Sequence, residues 1–281
     1  MLLPLVFVLG LSGCDSGVEM EDIATEELYA VSSWVSPQDT LLQVYLFKAN
    51  RIGTVARWDS AQVKNALVLI SDGTKTDTLL FNPEKGRYES KPRHLQIEPL
   101  NQYDLKILTP SDILLEASCS IPPTPAMPVV AGVRAGDDYS FTIRTANILE
   151  HQYFSLITFA KGMVEFEDPR FGTQRYNIHA RFLNEPAFPA EKGAHLDQYN
   201  GIVSRAYSAE NPRLFVSLQY LEEGLYKYLR NYQRYDHWQS NNTGALFPNF
   251  QEPQPLYSNI KGGVGIFAGY NQATIEVEIQ Q

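Results

Sequence analysis

The chain has 281 residues, 44% of them hydrophobic, with two cysteines and a formal net charge of −9 at pH 7. That length and apolar content predict one large or two ordinary packed domains rather than disorder. The acidic balance argues against a nucleic-acid partner and against a polybasic grip on anionic lipid.

Residues 1–13 read as a leader. Leu2 to Gly10 is an apolar run too short to span a bilayer and long enough for a signal-peptide core. It ends at Leu11-Ser12-Gly13-Cys14. Small residues just before a cysteine match the lipobox of bacterial lipoproteins, in which the cysteine thiol takes a diacylglycerol. Cys14 is therefore the expected lipidation site. Residues 14–27 carry Asp15, Glu19, Glu21, Asp22, Glu26 and Glu27 with no Lys or Arg, the composition of an acidic flexible tether. With Cys14 given to lipid, Cys119 has no partner for a disulfide in the mature chain, and its apolar surroundings suit a buried small hydrophobe.

From Leu28 the pattern is that of strands. Leu28–Trp34 and Leu41–Phe47 are rich in β-branched and aromatic residues. Ala66–Ile70 and Thr76–Phe81 flank the turn residues Ser71-Asp72-Gly73 and read as a hairpin. Gly86-Arg87-Tyr88 opens a short strand. Asp104–Leu108 and Ile113–Cys119 flank Pro110-Ser111-Asp112. Tyr103 stands where a tyrosine corner would, its hydroxyl tied back to backbone. Residues 28–121 thus predict an immunoglobulin-like β-sandwich. Ile121-Pro122-Pro123-Thr124-Pro125 is the expected boundary, since prolines cannot pair inside a sheet.

Residues 122–281 predict a second, β-sandwich-like domain. Val129–Val133, Tyr139–Ile148, Tyr153–Phe159, Met163–Phe166, Ile178–Phe182 and Ile202–Tyr207 read as strands, with a long loop over Glu185–Tyr199. Leu214, Val216 and Leu218 alternate. The period then becomes helical: Leu221, Leu225, Tyr228, Leu229, Tyr232 and Tyr235 share one face of a helix spanning about 220–238. Tyr226 and Trp238 fall off that stripe and are the candidate partner contacts. Gly262–Phe267 and Thr274–Ile279 read as a glycine-rich closing hairpin.

The last quarter carries a recognisable pattern. The helix Leu221–Arg230, the proline-rich segment after it, and Ser258-Asn259-Ile260-Lys261-Gly262-Gly263-Val264-Gly265-Ile266-Phe267 resemble the closing signature of domain-of-unknown-function family 4249. Ala66–Gly73, Gly86-Arg87-Tyr88 and Tyr103–Ile107 fit in order. Ala30–Trp34 lacks the glycine that the pattern has there. The resemblance implies a lipid-anchored outer-membrane protein of a Gram-negative bacterium, working as an accessory or binding subunit beside a TonB-dependent transporter. It carries over no catalytic residue and no cofactor. Asn259, Gly262, Gly263 and Gly265 are then a structural motif, in which glycine admits a bulge or a close backbone approach. They do not form a phosphate loop, for no Lys-Ser/Thr pair follows.

No metal site is expected. The histidines His94, His151, His179, His195 and His237 do not pair at ligand spacing on one element. No Gly-x-Ser-x-Gly elbow occurs. Carboxylates are plentiful, so the alternative function is a surface hydrolase acting on glycan or peptide, with two of them as its acid and base.

Overall fold

The computed structural model describes residues 28–48, 61–135, 138–144, 153–168, 172–182, 199–204, 213–242, 256–277 and 279–280. The protein is mostly β with one long helix among these residues. The first seven strands are β1 (Tyr29–Val35), β2 (Gln43–Lys48), β3 (Leu67–Ser71), β4 (Thr76–Asn82), β5 (Arg87–Glu89), β6 (Gln102–Leu108) and β7 (Leu114–Ser120). Each alternates buried and exposed residues, because side chains on a pleated strand point to opposite faces. Antiparallel pairing links them in the order β1-β2-β5-β4-β3-β6-β7. Their inward residues, among them Val44, Ile70, Leu79, Leu105, Ile107 and Leu115, form one packed core.

Two buried tyrosines finish this core with polar tips satisfied. The Tyr103 hydroxyl accepts from the Glu98 N–H at 2.8 Å and donates to the Gln96 carbonyl at 3.2 Å. That is the backbone tie expected of a tyrosine corner. The Tyr88 hydroxyl donates to the Val63 carbonyl and accepts from the Ala66 N–H, each at 2.9 Å. Cys119 is free and buried in the same core.

The later elements are β8 (Val129–Ala135), β9 (Asp138–Arg144), β10 (Tyr153–Asp168), β11 (Gly172–Phe182), β12 (Tyr199–Ser204), β13 (Arg213–Leu221), helix α1 (Glu223–Asn242), β14 (Val264–Val277) and β15 (Ile279–Gln280). β12, β9, β8 and β15 form a four-stranded sheet. β10 is a single long strand, so the two strands expected over 153–166 are one. The loop expected over 185–199 falls mainly outside the described residues.

The expected closing hairpin is also one strand. β14 runs for 14 residues without a turn. No Asn-Gly or Asp-Gly pair stands between Phe267 and Thr274 to reverse it. Its first part, Val264 to Gly269, pairs parallel with Ala30 to Val35 of β1. Its second part, Tyr270 to Val277, pairs antiparallel with β13. The sheet of eleven strands therefore continues across the proline segment: β11-β10-β13-β14-β1-β2 and onward to β7. Ile260 and Phe267 belong to the core built by β1–β7. The segment after the helix thus completes the unit that residues 28–121 begin.

A buried polar knot holds the crossing point. Asn271 is fully buried. Its Nδ2 donates to the Pro122 carbonyl at 3.1 Å and the Thr124 hydroxyl at 3.2 Å, and its Oδ1 accepts from Gln38 Nε2 at 2.9 Å. The proline segment, the β1–β2 turn and β14 are joined there.

A fragment of residues 28–121 is expected to show no cooperative thermal transition. β1 would lose its parallel partner and the core would lose Ile260 and Phe267. A far-UV melting curve as sharp as that of the whole chain would overturn this account.

Candidate functional site

The closing signature is a clasp. Lys261 exchanges two backbone hydrogen bonds with Glu116 of β7, at 3.1 and 2.8 Å. The Asn259 side chain acts as a strand edge, accepting from the Phe267 N–H at 3.0 Å and donating to the Phe267 carbonyl at 2.7 Å. A Cβ on Gly262 would strike the Leu114 carbonyl, and one on Gly263 would lie 2.7 Å from the Tyr29 carbonyl. Gly265 has φ +116°, and a Cβ there would strike the Val31 carbonyl. Only glycine lets β14 approach β1 at that register. Asn259, Gly262, Gly263 and Gly265 are thereby brought together as a structural joint.

Beside the clasp lies a cleft of about 470 Å³, lined by Ser120, Tyr153, Glu222, Lys227, Tyr257 and Asn259 among others. Glu222 precedes α1, and its carbonyl accepts the Tyr226 N–H. Its carboxylate accepts from the Ser120 N–H at 3.1 Å and the Gly269 N–H at 2.9 Å. Burial raises its pKa, and these two hydrogen bonds oppose the rise. With both oxygens engaged, Glu222 acts as a brace between β7, β14 and the helix start.

The helix lies on the face of β14 opposite the first core. Leu225 packs with Ile266 and Ala268, and Tyr228 and Leu229 are half-buried against them. Tyr226 is not the outward contact that its place off the helical stripe suggested. It is 5% exposed. Its ring stacks on Tyr153 at 4.3 Å, and its hydroxyl accepts from Arg230 at 2.9 Å. The cause is β10, whose first residue extends the covered surface by one helix position. Tyr232, on the expected stripe, is instead 52% exposed. Trp238 belongs to α1, but its side chain lies outside the described residues, as do Cys14, His195 and His237.

The open aromatic surface is elsewhere, on the outer face of β1 and β2. The pairing sets Ser32 opposite Tyr45. A groove of about 340 Å³ is lined by Ser32, Ser33, Trp34, Asp39, Leu41, Gln43, Tyr45 and Tyr270. Trp34 is 39% exposed. Tyr45 stacks on Phe47 with rings 8° from parallel. Its hydroxyl accepts from Arg87 Nη1 at 2.9 Å. Arg87 in turn donates twice to Glu89 Oε1, at 2.8 and 2.7 Å. Hydrogen bonds from Asn82, Arg87 and Lys85 hold the Glu89 carboxyl down at about 2. The ring that walls the groove is thus fixed before any ligand arrives. Burial lifts the Asp39 carboxyl to about 6 against the hydrogen bond from the Ser36 N–H. That bond uses only Asp39 Oδ2, at 2.8 Å.

The arrangement offers aromatic faces beside uncharged and singly charged hydrogen-bonding groups, which is the chemistry of a binding site. Trp34, Tyr45 and Tyr270 were not singled out in the sequence. The alternation of Ser32 and Trp34, with Gln43 and Tyr45, is visible there, but the register that joins them is not. Among the described residues, His94 Nδ1 lies 3.0 Å from Asp77 Oδ1. Among the described residues no group of three His, Cys, Asp or Glu is placed to hold a metal.

The model of the family described as "domain of unknown function (DUF4249)" matches residues 17–276. The chain belongs to that family. No curated protein matches it. Among solved structures it is similar to a Salmonella α2-macroglobulin mutant (TM-score 0.26, 9% identity, 70% of this chain and 14% of that one). It thus spans about a seventh of that protein. It is also similar to a candidate carbohydrate-binding protein from Bacteroides uniformis (TM-score 0.22, 11% identity, 71% and 91%). A third is a DUF3823 family protein from Parabacteroides merdae (TM-score 0.19, 7% identity, 70% and 92%). Scores of this size carry no functional argument.

The raised Asp39 pKa has a measurable consequence. The unfolded carboxyl titrates near 3.8 and the folded one near 6. Burial therefore penalises the folded state only when Asp39 is ionised. The penalty is absent below pH 3.8, grows through the window to about pH 6, and is constant above it. Asp39→Asn is expected to melt higher than the parent at pH 8, by at most about 3 kcal/mol before solvent screening. The difference should vanish below about pH 4. A pH-independent difference in thermal melts would contradict this.

Proposed function

We propose that this member of the family is a lipid-anchored binding protein of the outer membrane, held through Cys14 and serving as an accessory subunit beside a TonB-dependent transporter. The single observation that supports a binding role is the Trp34–Tyr45–Tyr270 groove. It combines an exposed indole, a prefixed tyrosine wall and the free acceptor Asp39 Oδ1 on an open face. A saccharide suits this chemistry. Its C–H faces stack on aromatic rings, and its hydroxyls pair with amide and carboxylate groups. The lipobox Leu11-Ser12-Gly13-Cys14 supports the anchor.

Two measurements test the reading. Cys14→Ser should release the protein from the membrane fraction and abolish palmitate labelling. Isothermal titration against a panel of neutral oligosaccharides should find a ligand whose affinity falls at least tenfold in Trp34→Ala, at unchanged melting temperature. A groove ligand that binds Trp34→Ala as well as the parent, or a panel that yields no binder, would overturn the assignment.

A further inference from the structure

The outer face of the first unit carries a row of exposed leucines. Leu67 of β3 is opposite Leu108 of β6, and Leu108 is opposite Leu114 of β7. One step beyond the Val68–Leu79 pair, the antiparallel register sets Leu80 of β4 beside Leu67. Four leucines thus stand side by side across four adjacent strands. Their exposures are 66% for Leu80, 47% for Leu67, 40% for Leu108 and 50% for Leu114. Single exposed apolar residues are ordinary on a protein surface, but a contiguous row is not.

The row is graded. One step along the same outward face, Lys106 pairs with Glu116 at 3.4 Å. A further step on, the Ser118 hydroxyl donates to Asp104 at 2.6 Å. Polarity therefore rises with distance from the leucines. The next layer mixes the half-buried Leu69 with Thr78, Lys106 and Glu116.

The row also has a fixed place relative to the start of the fold. The hydroxyls of Tyr29, the first residue of β1, and Ser111 lie 3.2 Å apart. Ser111 is in the turn between Leu108 and Leu114. Tyr29 follows Cys14 by 15 positions, a separation that the chain can stretch to about 50 Å at most. The leucines are therefore at the end of the fold that leads to the anchor. A surface tethered so closely meets the anchoring layer at high effective concentration.

We propose that the row Leu80–Leu67–Leu108–Leu114 rests on the lipid surface into which the Cys14 acyl chains insert, with the leucine side chains in the interfacial layer. This rests on the lipid anchor of the preceding section. The occupant is lipid because the row is narrow, is backed by the Lys106–Glu116 ion pair and the Ser118–Asp104 hydrogen bond, and lies at the tether end. Such a ridge suits shallow insertion below headgroups. The Trp34 groove, on β1 and β2, is then carried on a wall beside the membrane with a constrained height.

The test uses the acylated protein reconstituted in phosphatidylethanolamine–phosphatidylglycerol vesicles. An environment-sensitive fluorophore is attached at Leu80→Cys or, in a separate variant, Leu114→Cys. Cys119 is buried with its thiol pKa pushed up by burial, and it should not compete for the label. Met127→Cys, on the proline segment, serves as the reference position. The expected result is flotation with the vesicles, a blue shift at positions 80 and 114, and loss of that signal to a quencher carried on the acyl chains. The reference label should show neither. Flotation with all labels in water would overturn the ridge and leave the anchor standing. Failure to float would overturn the anchor itself, and the ridge with it. Shielding in native outer membranes but not in vesicles would identify a protein occupant and overturn lipid.

Discussion

The six parallel pairs between β1 and the first part of β14 are the constraint on which this molecule depends. Without them β1 is an open edge, and the core of the first unit is open along one side. With them, a segment more than 200 residues downstream becomes a wall of the first unit. The same strand then continues, without a turn, as a member of the second set of strands. Gly265 makes the approach sterically possible, Asn259 and Lys261 fix its register, and Asn271, where β14 passes from one pairing to the other, binds the Pro122 carbonyl and Gln38.

This arrangement gives the closing segment Ser258–Phe267 a structural role in joining the two ends of the described chain. Its residues act through close backbone approach and hydrogen bonds to backbone. Glu222 belongs to the same set. A carboxylate in a cleft beside a helix start looks like a candidate acid or base, but both of its oxygens are taken by backbone N–H groups. Among the described residues, the outer face of β1 and β2 offers aromatic side chains that do not have to hold the sheet together.

Much of the fold was readable in the residues. The strands of the first unit follow from their alternation, the Tyr103 tie from its place at a strand start, and the burial of Cys119 from its apolar run. Pairing over long distance was not readable, because register depends on partners that local periodicity does not name. Hence β14 looked like two short strands around a turn. Tyr226 failed for a related reason. The helical period ranks faces, but β10 under the first turn of α1 decides how wide the covered face is. The groove escaped notice because Trp34, Tyr45 and Tyr270 come from three strands, and their proximity exists only in the assembled sheet.

The place of β1 between β14 and β2 sets how the fold meets force. In the proposed lipid-anchored protein, a pull through Cys14 enters the described fold at β1, which begins at Tyr29. A pull along β1 loads all six pairs to β14 together in shear instead of opening them one after another. The antiparallel ladder to β2 is loaded in the same way on the other side. A strand gripped lengthwise between two neighbours resists extraction far better than one peeled from its end. In the proposed lipid-anchored protein, the end held by the membrane is thus the end at which β1 is gripped on both sides.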